Sequence, residues 1–146
     1  MKKVQTRVET PQPAEEVYAY LVDFNNQPEW RFDVLSSELV SGERGTVGAR
    51  YRQKIMQGRR ASTSDVELDQ AERPAEVSFR TLDSGPVTVS GSWHITSKDQ
   101  GSEVVCDVII ETSGLMRLVE PMMGPQLRKI AGRYETALAE RLATPV

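Results

Sequence analysis

The sequence predicts an α+β fold, one antiparallel sheet with its helices gathered on one face. Residues 33 to 113 read as alternating segments separated by turns, and after Thr112-Ser113-Gly114 the apolar residues recur three and four apart. Where the alternating segments are folded onto each other at their turns, acids also fall opposite bases.

The chain has 146 residues, about one domain's worth on a prior of roughly 100 to 200 residues per domain. We therefore expect residues 1–146 to form a single domain. Lys and Arg number 18 against 21 Asp and Glu, a net charge of -3, which is unsuited to neutralising many phosphates and argues against nucleic acid as a partner. Cys106 is the single cysteine, so an intrachain disulfide is excluded. The opening Met1-Lys2-Lys3-Val4-Gln5-Thr6-Arg7 has no apolar run behind its lysines, and no stretch approaches the ~20 apolar residues that span a bilayer. The expectation is a cytoplasmic protein with no integral membrane association.

Residues 3 to 9 alternate, with Val4, Thr6 and Val8 on one face, and predict the first strand. Thr10-Pro11-Gln12-Pro13 ends it, and Pro13 suits the first turn of a helix because its missing N–H has no partner there. Ala14, Val17, Tyr18 and Leu21 then form an apolar stripe, with Glu15 and Glu16 at the positive end of the helix dipole. The turn-rich Asp23–Trp30 stretch predicts a second, short helix with Trp30 packed inward.

Gly58-Arg59 suits a two-residue hairpin loop. That turn places Tyr51 opposite Val66, Gln53 opposite Ser64 and Ile55 opposite Ser62, while Arg52 meets Asp65 and Arg50 meets Glu67. A turn at Glu72-Arg73 would bring Val66 against Phe79 and Asp65 against Arg80. One at Asp83-Ser84-Gly85 would set Phe79 against Val89 and Val77 against Gly91. The turn near Asp99-Gln100-Gly101 sets Trp93 against Cys106 and Ile95 against Val104. One face then carries Tyr51, Val66, Leu68, Val77, Phe79, Val87, Val89, Trp93, Ile95, Val104, Cys106, Val108 and Ile110, and this is the predicted inner face. Between residues 33 and 47 the apolar residues do not alternate cleanly, which points to a bulge.

Met123, Leu127, Ile130, Tyr134, Ala137, Leu138 and Leu142 form the apolar stripe of a long C-terminal helix. Pro121 and Pro125 should restart it near its beginning. A sheet must curve to bury such a helix, and the gap between the two is where a ligand cavity would form.

Val8-Glu9-Thr10-Pro11, then Pro13-Ala14-Glu15-Glu16-Val17-Tyr18-Ala19-Tyr20-Leu21-Val22-Asp23 and Pro28-Glu29-Trp30, resemble the opening of the polyketide cyclase/dehydrase and lipid-transport proteins of the START-like (SRPBCC) superfamily. Gly45-Thr46-Val47-Gly48-Ala49-Arg50-Tyr51 resembles that family's second hairpin, Gly91-Ser92-Trp93 its penultimate strand, and the terminal helix its gripping helix. The resemblance implies a helix-grip fold: about seven strands curved around the C-terminal helix, with two short helices between strands 1 and 2. It also implies a small hydrophobic ligand, lipid- or polyketide-like, and leaves open whether any reaction is catalysed.

The predicted wall of the cavity is Tyr51, Gln53, Ser64, Phe79, Thr81, Val89, Trp93 and Cys106 from the sheet, with Met122, Met123, Leu127, Ile130 and Tyr134 from the helix and its approach. Tyr51, Gln53 and Ser64 would offer hydrogen bonds to a ligand. Equally, Gln53 and Ser64 could simply satisfy each other. Met116, Met122 and Met123 suit either a cavity mouth or ordinary core filling. The inner-face list holds no Asp, Glu, His, Lys or Arg, and His94 follows Trp93 and so points outward. No catalytic residue is assigned on these grounds. Cys106 reads as a small buried hydrophobe, since no base adjoins it, and neither a metal cluster nor a nucleotide loop is present to imply a cofactor. Arg50, Arg52, Lys54, Arg59 and Arg60 read as a solvated salt ladder rather than a phosphate site.

Binding, transport or sensing of a hydrophobic or amphipathic ligand is the function these readings favour. One alternative is a cyclase or dehydratase in which Tyr51 or a rim acid, Glu38 or Asp33, moves protons. Another is an interaction module with a closed core, for which Val105 and Ile109 on the outer face would form a partner or homodimer seam.

Overall fold

The computed structural model describes residues 2–57, 59–82, 87–114, 118, 120–122 and 124–143. Strand β1 (Lys2–Thr10) leads into helix α1 (Ala14–Val22) and a 3-10 helix (Phe24–Glu29). Six more strands follow: β2 (Val34–Ser41), β3 (Arg50–Gln57), β4 (Arg60–Glu72), β5 (Glu76–Thr81), β6 (Val87–Lys98) and β7 (Gly101–Thr112). Helix α2 (Gly124–Leu142) comes last. The strands form one antiparallel sheet in the order β1-β7-β6-β5-β4-β3-β2, so the first and last strands of the chain are neighbours.

Each local element follows from its residues. Pro13 stands just before α1 and its carbonyl accepts from the amides of Glu16 and Val17, one position earlier than the predicted first turn. Ala14, Val17, Tyr18 and Leu21 are buried as the stripe requires, and Trp30 is 6% exposed. Asp23 caps the 3-10 helix by accepting from the Asn25 amide at 3.1 Å. Helix α2 starts at Gly124 with Pro125 second, where a proline costs no hydrogen bond. Pro121 lies in the short turn of 3-10 helix before it, Glu120–Met122.

The β3–β4 register is the predicted one, with Tyr51 opposite Val66, Gln53 opposite Ser64 and Arg52 opposite Asp65. So is β6–β7, with Trp93 opposite Cys106 and Ile95 opposite Val104. Two pairings differ from expectation. Phe79 faces Leu68 rather than Val66, and Arg80 faces Glu67 rather than Asp65. The turn is wider than Glu72-Arg73, because the Ala75 amide closes back on the Glu72 carbonyl, and a bulge falls between Leu68 and Gln70. Likewise Phe79 faces Gly91 and Val77 faces Trp93, and the Asp83-Ser84-Gly85 turn lies outside the described residues. Both slips are of two residues, which preserves the face of every side chain. The inner face therefore survives them.

Gly91 has a reason to be glycine. A Cβ there would stand 2.6 Å from Cε1 of Phe79, so its absence lets the ring of the opposing residue lie across the strand. Strand β2 carries two register irregularities, between Val34 and Ser36 and between Leu39 and Ser41. These account for its broken alternation, with Val34 buried while Leu35 and Val40 are exposed. Among the described residues, no helix is long and apolar enough to cross a membrane.

Candidate functional site

Inner-face residues of the β1, β7 and β6 strands stand in rows. Val4 is opposite Val108, Thr6 opposite Cys106 and Val8 opposite Val104, while Cys106 and Ile110 are in turn opposite Trp93 and Val89. These are mostly short side chains, and Ile130, Tyr134 and Leu138 of α2 face them one helical turn apart, with Ala131 beside Ile130. Short residues on both sides leave a cavity of about 230 Å³ between sheet and helix. Phe79 and Trp93, with ring centroids 5.3 Å apart, and Trp30, edge-on to both Trp93 and Tyr134 at 6.0 and 6.3 Å, supply its aromatic wall.

Trp30 is held there by its neighbour. Glu29 accepts from the Tyr20 hydroxyl at 2.7 Å and from Arg141 Nε at 3.0 Å, tying α1, the 3-10 helix and the end of α2 together. The Tyr20 hydrogen bond and the Arg141 charge hold the Glu29 carboxyl below its ordinary pKa, against the opposing effect of burial.

The cavity also carries polar groups. Arg31, Asp33, Tyr134 and Glu135 belong to its lining. Arg31 donates from Nη1 to Gln27 Oε1 at 2.9 Å, and its Nη2 lies 3.7 Å from Asp33 Oδ2. The guanidinium also sits 5.3 Å from the centre of the Tyr134 ring. Burial pushes the Tyr134 phenol up to about 12; Arg31 opposes that rise and hydrogen bonding to Asp33 adds to it. Glu135 Oε2 accepts from the Arg7 amide at 3.1 Å, so α2 satisfies a donor of the free edge of β1.

Of the predicted site residues, Phe79, Val89, Trp93, Cys106, Ile130 and Tyr134 come together on this wall. Tyr51, Gln53, Ser64 and Thr81 do not. Tyr51 is 0% exposed, its ring 5.1 Å from that of Phe24 and its hydroxyl accepting from the Gly45 amide at 3.3 Å. Burial raises its pKa above the ordinary phenol value. Gln53 is equally enclosed, and its amide donates to Gln27 Oε1 at 2.7 Å and to Ser37 at 3.3 Å rather than waiting for a ligand. Ser64 is buried beside it, and Thr81 is tied to the backbone of Val89. Ser62, which shares the inward face of β4 with Ser64 and Val66, is exposed. Met122 is 76% exposed and is not part of the cavity lining, while Met116, Met123 and the side chain of Leu127 lie outside the described residues.

Burial pushes the Cys106 thiol up to about 12, so no thiolate nucleophile stands in the cavity at neutral pH. His94 is exposed on the outer face, 3.2 Å from Ser92 Oγ. Arg52 pairs with Asp65 at 3.0 Å, but Glu67, the neighbour expected for Arg50, is held by Arg80 at 2.6 Å. Val105 and Ile109 are half-buried.

Sequence reasoning missed Val4, Thr6 and Val8, although their alternation was legible, because only the pairing of β1 with β7 puts them on this wall. It also missed Arg31, Ala131 and Glu135, and read Asp33 only as a rim acid. The inner-face list was drawn from strands, and the charged groups enter from the loop after Trp30 and from the helix.

A curved seven-stranded sheet gripping its C-terminal helix over such a cavity is the START-like, helix-grip arrangement. Residues 1–144 match the family described as polyketide cyclase / dehydrase and lipid transport, and the chain belongs to it. Solved structures share the fold. A protein of Thermus thermophilus is 19% identical, covers 97% of each chain and superposes with a TM-score of 0.78. A START superfamily protein of Mycobacterium smegmatis is 15% identical over 96% of both chains, with a TM-score of 0.75. The Zhui aromatase/cyclase of a Streptomyces species is 16% identical over 97% of this chain and 93% of its own, with a TM-score of 0.72. No curated protein matches the chain. At these identities the likeness is one of fold.

Proposed function

We propose that the chain folds as one domain and binds a small hydrophobic or amphipathic molecule in the cavity between sheet and α2, in order to carry or sense it in the cytoplasm. The observation that supports this most is the wall itself, a surface made mostly of Val, Ile and aromatic residues with a few polar groups among them, the usual composition of a ligand pocket. Membership of a family described by lipid transport and polyketide chemistry supports the same reading. Binding of this kind calls on no cofactor and no nucleic acid.

Native mass spectrometry of freshly purified protein beside denatured protein tests it. The expected result is a retained molecule of low mass, with a saturable rise in Tm when that molecule is added back. A bare mass and no thermal response to a panel of lipids and polyphenols would count against the reading and in favour of an interaction module.

A cyclase- or dehydratase-type reading has one observation in its favour, the carboxylate of Asp33 on the cavity wall. Tyr51, the other proton carrier considered, does not reach that wall. Turnover of an aromatic polyketide-like substrate that disappears in Asp33→Asn would support this second reading, and turnover that survives would remove Asp33 from it.

A further inference from the structure

On the reading of the cavity as a ligand site, its wall decides what it can hold. Val and Ile side chains of the sheet and of α2, with the rings of Trp30, Phe79 and Trp93, make up most of the surface it presents. An apolar atom placed against such a wall gains by leaving water. A polar atom placed there loses its hydrogen bonds to water, and the loss is recovered only if the wall supplies a partner.

The polar groups of the lining are poorly placed to be that partner. Thr6 and Cys106, opposite each other on β1 and β7, hydrogen-bond to each other. The Trp93 indole nitrogen and Asp33 Oδ1 are enclosed and have essentially no accessible surface to offer a guest. Asp33 Oδ2 lies 3.7 Å from Arg31, and the Tyr134 hydroxyl hydrogen-bonds within the same pair. Glu135 is engaged in an exposed contact at the free edge of β1, accepting from the Arg7 amide at 3.1 Å. Arg31 alone has more donors than these partners use, and it is anchored to Gln27 at 2.9 Å.

Size narrows the class further. An apolar cavity of about 150 Å³ stays dry and holds one benzene, while sites for drug-sized ligands run to roughly 300–1,000 Å³. The cavity here, at about 230 Å³, falls between the two, and the rings of Phe79 and Trp93, 5.3 Å apart on its wall, suit a flat guest. We infer that the cavity takes an uncharged, hydrocarbon-like molecule of one or two rings and selects it by apolar surface and volume alone. A hydroxyl weakens binding, a carboxylate weakens it more, and a long amphipathic lipid does not fit.

The experiment is a calorimetric titration of the wild-type protein with naphthalene, 2-naphthol, 2-naphthoate and hexadecanoate, each repeated as a measurement of Tm. Naphthalene should bind most tightly. 2-Naphthol should bind saturably but about tenfold more weakly, the effect of one hydroxyl that leaves water and finds no partner. 2-Naphthoate and hexadecanoate should bind more weakly still. Arg31→Gln should leave this order unchanged. 2-Naphthol or 2-naphthoate binding as tightly as naphthalene, or a reordering in Arg31→Gln, would show that a polar group of the wall reaches the ligand. Hexadecanoate matching naphthalene would show that volume does not select. Any of these results would overturn this inference while leaving the cavity as a ligand site. A flat response to all four probes would overturn the ligand-site reading itself and this inference with it. The ranking is measured on the wild-type chain, so the test stands even if Arg31→Gln folds poorly.

Discussion

Two halves of the same inner face have opposite fates. Around β3 to β5 the sheet is packed solid: Phe24 projects from the 3-10 helix into it, its ring 5.1 Å from Tyr51, 6.4 Å from Phe79 and 6.1 Å from Trp93, and Tyr51, Leu68 and Val77 are 0% exposed. Around β1, β7 and β6 the same alternation of apolar residues faces α2 across open space, and Val89, Cys106 and Val108 are only partly buried. Short strand residues such as Val4, Thr6 and Cys106 contribute to this difference, and so does what the helical segments deliver, a Phe ring on one side and Ile130 and Ala131 on the other. An inner-face pattern thus specifies where a cavity is permitted, and side-chain size together with the covering elements specifies where it forms.

Truncation should expose the contrast most strongly. Phe24→Ala removes a ring with no exposed area and should cost about 3–5 kcal/mol in denaturant unfolding. Val108→Ala, on a wall that already borders empty space, should cost about 1 kcal/mol, because the methyl groups lost have few packed partners to lose. Equal costs would mean that the cavity is filled in solution.

Alkaline titration comes next. The Cys106 thiol is raised from 9.0 and the Tyr134 phenol from 10.0, each to about 12. Both groups favour their neutral form in the folded protein, so the unfolded chain loses these protons first and stability falls as pH rises. The associated loss should begin near pH 9 and be complete near pH 12, with full stability below that window. Cys106→Ala should remove the lower part of it. Alkylation of Cys106 should stay slow through neutral pH for the same reason, and a fast reaction would show that the cavity wall opens.

Tyr51→Phe should have the smallest effect. Its hydroxyl takes one long hydrogen bond from Gly45, so the change should cost at most about 0.5–1.5 kcal/mol. Ligand affinity should not move, because Tyr51 belongs to the packed half. A large loss of binding would show that the two halves are coupled.

The contrast also explains how far the sequence could be read. Strand faces were legible because their period is two and because Arg52 with Asp65 fixes the β3–β4 register independently of the apolar residues. Errors of two residues at the later turns were harmless for the same reason of period. The position of the hollow was not legible, since it depends on Phe24 reaching across to Tyr51, Phe79 and Trp93, contacts distant in sequence. Tyr51 and Gln53 were therefore placed on a ligand wall when they belong to the packed half. Asp33 and Arg31 sit in a two-ended stretch between Trp30 and Val34 with no periodicity to orient them, and only the burial of Trp30 and Val34 turns their side chains toward the helix. Glu135 read as one of the polar residues between the apolar positions of α2, and its bond to the edge of β1 is what draws it to the cavity.

The central claim is that the space beneath Ala131 is where a ligand sits. Filling it is the most direct test: Ala131→Phe and wild-type protein are titrated side by side with 2-naphthol, following tryptophan emission, after confirming that both unfold cooperatively. The account predicts a saturable response in wild type that is lost in Ala131→Phe, with Tm preserved or raised. A variant that stays folded and binds with unchanged affinity would contradict it, since the ligand would then lie elsewhere.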